Sequence, residues 1–216
     1  GASGLIQFLF QNNIVYLHVG YVDDVSEVYL NGHMVGFAGT FPPELHEADA
    51  VYEKFPVPQQ YLNYKGDNVV AVRVYDNRLS GGIIRGKVGL FEPAEYMNPD
   101  YNLAGTWKFT TGDDETWKEP TFDDAKWNDA VVPGYWECVP GLRNYDGFGW
   151  YRVKFRVPEN FTGQNMILLL GKIDDIDEAY LNGERIGRTG RIRKRMELAD
   201  LNEEWLQLRA YTLPAD

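Results

Sequence analysis

One stretch of the chain occurs twice: Gly20-Tyr21-Val22-Asp23-Asp24-Val25-Ser26-Glu27-Val28-Tyr29-Leu30-Asn31-Gly32 returns as Gly171-Lys172-Ile173-Asp174-Asp175-Ile176-Asp177-Glu178-Ala179-Tyr180-Leu181-Asn182-Gly183. The offset is 151 residues, and ten of the twenty positions from Gly20 to Gly39 are identical to their counterparts. Composition alone does not produce such agreement at one fixed offset. The chain therefore contains two copies of one module, and the repeat is the first guide to its architecture.

Both copies carry an Asn-Gly pair between apolar runs, Asn31-Gly32 and Asn182-Gly183. A two-residue type I′ turn needs positive φ at both central residues, which Asn and Gly tolerate best, so each pair predicts a tight β-hairpin. Long helical periodicity is absent, and only residues 59–64 are expected to form a helical turn. Short runs of β-branched and aromatic residues between turn residues predict further strands at 5–10, 14–19, 69–75, 151–157 and 166–170. The pattern predicts an all-β protein built from antiparallel β-sandwiches.

The two copies are incomplete in complementary ways. A first module is expected over residues 1–95, a linker over 96–101 and a second module over 102–216. The first copy has no counterpart of residues 102–148, and the second has none of the strands between 67 and 91. Each half alone would expose sheet edges, so we expect the halves to complete one another within the chain or by strand exchange in a homodimer. A truncated chain is the alternative.

Composition narrows the classes of partner. The net charge of −11 argues against a nucleic-acid partner, because that binding depends on neutralising phosphates with Lys and Arg. No apolar run reaches the roughly 18 residues of a membrane span, so no membrane partner is expected. Cys138 is the single cysteine, which excludes an intrachain disulfide. One basic cluster is either a solvated edge or a patch for an anionic ligand: Arg185, Arg188, Arg191, Arg193, Lys194 and Arg195.

A series of motifs in the second copy resembles a known family. In order, they are Gly105-Thr106-Trp107-Lys108-Phe109, Trp117, Pro120, Phe122-Asp123-Asp124, Trp127, Val132-Pro133, Trp136-Glu137 and Asp146-Gly147-Phe148-Gly149-Trp150-Tyr151-Arg152. With the repeated hairpin and the first copy's Asn68-to-Asp76 strand followed by Gly81-Gly82-Ile83, they are similar to the N-terminal sugar-binding domain of family 2 glycoside hydrolases such as β-galactosidases. The jelly-roll domain of sialate O-acetylesterases is similar across the same segments. The resemblance implies a jelly-roll β-sandwich of the galactose-binding type.

In family 2 enzymes this domain lies beside a separate barrel that carries the catalytic glutamates. A barrel of that kind needs about 250 residues, and no sequence of that kind is present here. The resemblance therefore implies a non-catalytic carbohydrate-binding or accessory module of a glycoside hydrolase system, with a glycan or glycoside as ligand or a catalytic domain as partner. A periplasmic or extracellular location goes with that role. The alternatives are a structural or protein-interaction module that binds no sugar, and a fragment of a β-galactosidase-like hydrolase.

Candidate sugar-binding residues cluster in two loops of the second copy. Sugars offer apolar C–H faces to aromatic rings and hydroxyls to carboxylates and guanidinium groups, so a site needs a ring with polar partners. Trp136 and Glu137 lie in one loop-like stretch, and Arg143, Tyr145 and Asp146 lie in a glycine-rich loop. The alternatives are a framework role for Trp136 and an ordinary turn in which Asp146 bonds its own backbone. Three other tryptophans are expected in the core: Trp107, Trp127 and Trp150.

In the first copy, the resemblance implies that Asp76, Asn77 and Arg78 lie in a loop that reaches toward a sugar site. The pairs Asp23-Asp24 and Asp174-Asp175, each followed by a Glu, could gather oxygens around Ca²⁺. Without EF-hand spacing, turn capping is the simpler interpretation, and we expect no cofactor. No histidine lies in a nucleophile motif with Ser or Cys, so no catalytic residue is assigned.

Overall fold

The computed structural model describes residues 15–48, 51–78, 81–91, 100–190 and 204–213. Within these ranges the regular structure is antiparallel β-strand with short 3-10 helices, which confirms the all-β class. The predicted strand at 5–10, most of the linker and Arg191 to Arg195 lie outside the described residues. No helix of the described residues has the length and apolar character to cross a membrane.

Fourteen strands are present in the described residues. They are β1 Val15–Asp23, β2 Val25–Leu30, β3 His33–Ala38, β4 Tyr52–Val57, β5 Val70–Tyr75, β6 Gly82–Arg85, β7 Gly89–Phe91, β8 Gly105–Thr111, β9 Asn128–Val132, β10 Gly149–Arg152, β11 Met166–Lys172, β12 Asp177–Leu181, β13 Glu184–Thr189 and β14 Leu208–Leu213. The 3-10 helices are Gln59–Tyr61, Glu115–Lys118, Trp136–Cys138, Glu159–Phe161 and Glu204–Leu206. The helical turn predicted after Pro58 is thus confirmed as Gln59–Tyr61.

The described chain divides into two compact units. The first contains the residues up to Thr111 together with Trp127–Val153, and the second contains Gly112–Lys126 with the residues from Lys154 onward. The predicted modules are defined by the sequence repeat, whereas these two units are defined by which residues contact one another. Residues 105–111 and 127–153, although part of the second copy, pack with the first copy.

The first unit contains three antiparallel sheets: β4-β1-β6 with β7 also paired to β1, β3-β2-β5, and β10-β8-β9. Alternating apolar residues of β1 and β2 face inward and form its main core with β3 and β4. The fully buried members are Val15, Leu17, Val19, Val22, Val28, Leu30, Val35, Phe55 and Val57. A smaller cluster of Phe109, Ala130 and Val139 lies under β8, β9 and the loop that precedes β10.

The second unit contains two two-stranded sheets, β11-β14 and β12-β13. Its hairpin repeats the backbone of the first hairpin: φ is 49° at Asn31 and 51° at Asn182, and both ladders shift register two residues before the turn. In β1 and β11 the bulge also falls at equivalent positions, before Gly20 and Gly171. At the hairpin turns and at these bulges the repeat in sequence is therefore a repeat in backbone geometry, although Asp175 has a φ of 56° and the equivalent Asp24 follows a cis peptide bond.

One predicted strand is shorter than its sequence pattern. Residues 151–157 alternate between apolar and basic, but β10 ends at Arg152, which pairs with Lys108 of β8. Beyond that pair the ladder stops, and Val157 is 49% exposed. Alternation shows that a segment can be a strand with two unlike faces, but a strand also needs a neighbour to hydrogen-bond.

Candidate functional site

A groove of about 440 Å³ lies in the first unit beside the β2–β3 hairpin. Its other wall is the segment 137–143, which follows β9. Tyr135 precedes that segment and packs it against the first copy, since its ring contacts Phe37 and Phe55 edge to face. The lining residues are Glu27, Gly32, His33, Met34, Tyr61, Glu137, Cys138, Val139, Pro140, Gly141 and Arg143.

Two stacked rings form one part of the groove lining. His33 follows the Asn31-Gly32 turn, and its ring lies flat on Tyr61, with centroids 4.0 Å apart and an interplanar angle of 3°. The Asn31 side chain supports this pair by donating to the Tyr61 carbonyl at 2.6 Å. Burial raises the pKa of Tyr61, so its hydroxyl stays protonated at neutral pH. His33 itself is exposed.

An arginine and a carboxylate form another part. The Arg143 guanidinium lies 3.7 Å from the centroid of the Phe37 ring, a cation–π contact, and donates to the Gly39 carbonyl at 3.3 Å. It also approaches the Glu27 carboxylate at 3.9 Å. Glu27, whose side chain is only 11% exposed, accepts from Tyr29 Oη at 2.9 Å and pairs with Arg73 at 3.2 Å. These contacts fix the positions of a guanidinium and a carboxylate in the groove.

Glu137 and Cys138 complete the polar lining. Burial raises the pKa of the Cys138 thiol to about 11, and the neighbouring Glu137 carboxylate adds to the effect. The thiol is therefore neutral at physiological pH and unsuited to attack as a thiolate. In this groove Cys138 acts as a small, weakly polar side chain.

The structure separates the five predicted residues of the second copy. Glu137 and Arg143 line the groove. Trp136 instead packs on Phe109 of the smaller core cluster, with ring centroids 6.1 Å apart. Tyr145 meets Trp136 edge to face and donates its hydroxyl to the Phe148 carbonyl at 2.8 Å, while Asp146 is exposed outside the groove lining. Trp136 therefore lies where the alternative interpretation, a framework role, would place it.

The three predicted residues of the first copy lie at the end of β5, next to the start of β2. Asn77 donates its backbone N–H to Asp24 at 2.8 Å and its side-chain amide to Glu47 at 3.2 Å. The Asp76 carboxylate accepts from the Arg78 N–H at 3.3 Å. Asp76, Asn77 and Arg78 are absent from the groove lining, so the two predicted sets do not form one site among the described residues.

Carboxylate oxygens of Asp23, Asp24 and Asp76 lie within 4.8 Å of one another. This group contains the Asp23-Asp24 pair that the sequence analysis considered for Ca²⁺, with Asp76 in place of Glu27. Glu27 faces Arg73 and Tyr29 instead. Asp24 accepts from the backbone N–H of Asn77, so this carboxylate connects the start of β2 to the end of β5.

Sequence reasoning missed the groove's contribution from the first copy: Glu27, His33 and Tyr61. The available signals were weak, because His33 is simply the residue after a hairpin turn and Tyr61 ends a single helical turn. Searches against protein-family models, curated proteins and solved structures each find no match to this chain. The class that the structure defines is thus an all-β protein of several antiparallel sheets with a preformed polar and aromatic groove.

Proposed function

We propose that this protein is a non-catalytic carbohydrate-binding or accessory module of a glycoside hydrolase system, with a jelly-roll fold of the galactose-binding type. Its sugar site is the groove of the first unit. The observation that carries the proposal is the presence, in one groove, of the stacked His33–Tyr61 pair, the Arg143 guanidinium and the carboxylates of Glu27 and Glu137. Such a module acts in the periplasm or outside the cell.

The groove contains the two kinds of surface that a sugar ring needs. The exposed His33 ring can stack against an apolar C–H face, while Arg143 donates to hydroxyl oxygens and the two carboxylates accept from hydroxyl protons. Its volume of about 440 Å³ falls in the range of roughly 300–1,000 Å³ typical of small-molecule sites. Fixed donors and acceptors reduce the entropy lost when a ligand binds.

The arrangement supports binding rather than glycoside hydrolysis. A glycosidase needs two carboxyl groups across the scissile bond, one of which donates a proton. Glu27 instead accepts from the Tyr29 hydroxyl and pairs with the Arg73 cation. These donors fix the orientation of the Glu27 carboxylate, which acts as an acceptor in these contacts.

Calorimetry with galactose, lactose and plant and host polysaccharides tests the proposal. We expect saturable binding that is lost in His33→Ala and Arg143→Met and retained in Arg78→Gln, whose side chain is outside the groove lining. An aryl-glycoside assay on the same samples should show no turnover above buffer. Binding that survives both groove substitutions would move the site elsewhere. Failure of every glycan to bind would favour the protein-interaction alternative.

A further inference from the structure

The sheet built around β1 has one face on the core and one face directed away from it. Val15 and Leu17 of β1 are buried in the core, whereas His18 and Tyr21 are half-buried on the opposite face. The register shift between His18 and Gly20 inserts one extra residue, so Tyr21 returns to the face that carries His18. The face directed away from the core therefore presents two rings on its central strand.

The neighbouring strands add cations to these rings. Residues directly opposite one another in an antiparallel pair share a face of the sheet. Lys54 of β4 lies opposite His18, and Tyr52 of β4 and Arg85 of β6 both lie opposite Tyr21. Lys87 follows in the turn between β6 and β7. Six residues define what we call the outer face: His18, Tyr21, Tyr52, Lys54, Arg85 and Lys87.

The rings of the outer face pack on one another and support its arginine. Tyr52 contacts His18 and Tyr21 edge to face, with ring centroids 5.5 Å and 5.3 Å apart. Its hydroxyl lies 2.9 Å from His18 Nδ1. The Arg85 guanidinium lies 4.3 Å from the centroid of the Tyr21 ring, a cation–π contact that positions the charge over the sheet.

Two lysines act on His18 from opposite sides of β1. Lys54 belongs to β4 on one side, and Lys87 precedes β7 on the other. The Lys87 ammonium lies 6.0 Å from the Phe91 ring centroid, and that ring packs on His18 with centroids 4.5 Å apart. Burial lowers the pKa of His18, and the charges of Lys54 and Lys87 lower it further. An anion placed over His18 would interact with both lysines, which are exposed.

Negative charge is scarce on the outer face, although the chain has a formal net charge of −11. The four strands of this sheet contain two acidic residues. Glu53 is buried on the core side, where it accepts from Ser26. Asp23 lies at the end of β1, two residues beyond Tyr21, with its carboxylate close to those of Asp24 and Asp76. A local positive surface on an acidic chain favours an anionic ligand.

We propose that the outer face is a second carbohydrate site, which binds an acidic sugar through a carboxylate or sulfate group. The acid group lies over His18 and contacts Lys54 and Lys87, while Arg85 donates to a further oxygen of the ligand. The groove lining contains none of the six residues of the outer face. The choice of a sugar as ligand rests on the proposed function, whereas the preference for an anion rests on the outer face alone.

The test is an NMR titration of the full chain at low ionic strength. The ligands are trigalacturonate, its neutral methyl ester, lactose sulfate and lactose. The signal is the Hε1 proton of His18, assigned by its loss in His18→Gln. We expect saturable shifts with the two acidic sugars, none with the two neutral forms, and weaker binding as NaCl is raised, because salt screens exposed charges.

Variants locate the binding. Lys54→Gln and Lys87→Gln should each weaken the binding of trigalacturonate about two- to fivefold, the range of a single exposed ion pair. Lys65→Gln and Lys126→Gln are the matched controls, because these lysines are also exposed and lie outside the outer face. They change the net charge equally and should leave the affinity unchanged.

Four results would overturn the proposal. They are the absence of a saturable His18 shift with either acidic sugar, equal affinity for trigalacturonate and its methyl ester, an equal loss in the control variants, and tighter binding of a thymidine oligonucleotide through the same lysines. The last result would assign the outer face to nucleic acid. If lactose binds in the groove while the acidic sugars leave His18 unchanged, this inference fails and the proposed function stands. If the acidic sugars shift His18 and no neutral sugar binds the chain, the outer face stands and the sugar groove fails.

Discussion

At one equivalent position the two copies form buried side-chain contacts of different chemical type. In the first unit Ser26 of β2 donates to Glu53 of β4 at 2.7 Å, and both side chains are buried. At the equivalent position in the second unit Asp177 accepts from Arg209 at 2.6 Å. The ladders confirm the equivalence, because Glu53 pairs with Gly20 and Arg209 pairs with Gly171. One backbone geometry thus accommodates a hydroxyl–carboxyl pair or an ion pair.

The ion pair requires more hydrogen-bond partners than the hydroxyl–carboxyl pair. The Arg209 side chain is fully buried, and its other donors bind the carbonyls of Gln207 and Asp175 at 2.7 Å, with a further bond to the Glu204 carbonyl. Such a cation needs every partner, since a buried charge without one is costly. At this position both members of the contact differ together between the copies, which keeps each buried charge or polar group paired.

The largest expected difference in stability loss between the copies comes from removing one member of the Asp177–Arg209 pair and one member of the Ser26–Glu53 pair. Asp177→Ala leaves the buried Arg209 charge without its counter-ion and should lower the free energy of unfolding by about 3–5 kcal/mol. Ser26→Ala removes one hydrogen bond to a buried carboxyl and should cost about 1–3 kcal/mol. Urea denaturation, with hydrogen exchange to locate the affected unit, measures both. Equal losses would contradict the distinction.

Both copies pack a glycine against an aromatic ring, and substitution of that glycine should destabilise the two copies to a similar extent. A Cβ at Gly36 would lie 2.0 Å from the Phe55 ring, and one at Gly187 would lie 2.1 Å from the Tyr211 ring. Gly36→Ala and Gly187→Ala should therefore each destabilise the protein by about 1–3 kcal/mol through overpacking. Relief by Phe55→Leu in the first case and Tyr211→Leu in the second is the control, measured as a double-mutant cycle by thermal denaturation. Additive effects would show that the ring is not the cause.

Substitutions in the two hairpin turns should also differ between the copies, but the difference in unfolding free energy should be smaller. Asn31→Gly removes the side-chain contacts to Tyr61, Asn68 and Val69 and should cost about 1–2 kcal/mol. Asn182→Gly keeps the turn and should change stability by no more than about 0.5 kcal/mol. Chemical denaturation compares the two variants. A large loss in Asn182→Gly would show that its side chain already binds a strand within the chain.

The smallest expected effect depends on pH. Burial raises the pKa of Glu53, and the hydrogen bond from Ser26 partly opposes that rise. The folded state therefore holds the Glu53 proton more tightly than the unfolded state, so this stabilisation is complete below the unfolded pKa of about 4.3 and is lost as pH rises through the folded value. Glu53→Gln should flatten the decline in stability from about pH 4 upward. Denaturation across pH 4–7 tests this, and parallel curves would contradict it.

The strand and turn predictions followed local chemistry closely. Asn31 and Asn182 have the positive φ that a type I′ turn needs, and the segments around 14–19, 69–75 and 166–170 are strands within a few residues of the predicted ends. The segment 151–157 was wrong in length, because its pattern carries no information about where its partner strand stops. The predicted sugar-binding residues do not all lie in one place. Glu137 and Arg143 line the groove, whereas Trp136 lies against Phe109 behind it.

The sequence by itself determined the duplication, the all-β class and the two tight hairpins, because these depend on identity at a constant offset and on backbone preferences of adjacent residues. Only the tertiary structure decided that Arg143, from the second copy, lies on Phe37 and beside Glu27 of the first. It also decided which copy buries an ion pair. These outcomes depend on contacts between residues far apart in the chain, where packing rather than local preference selects the partner.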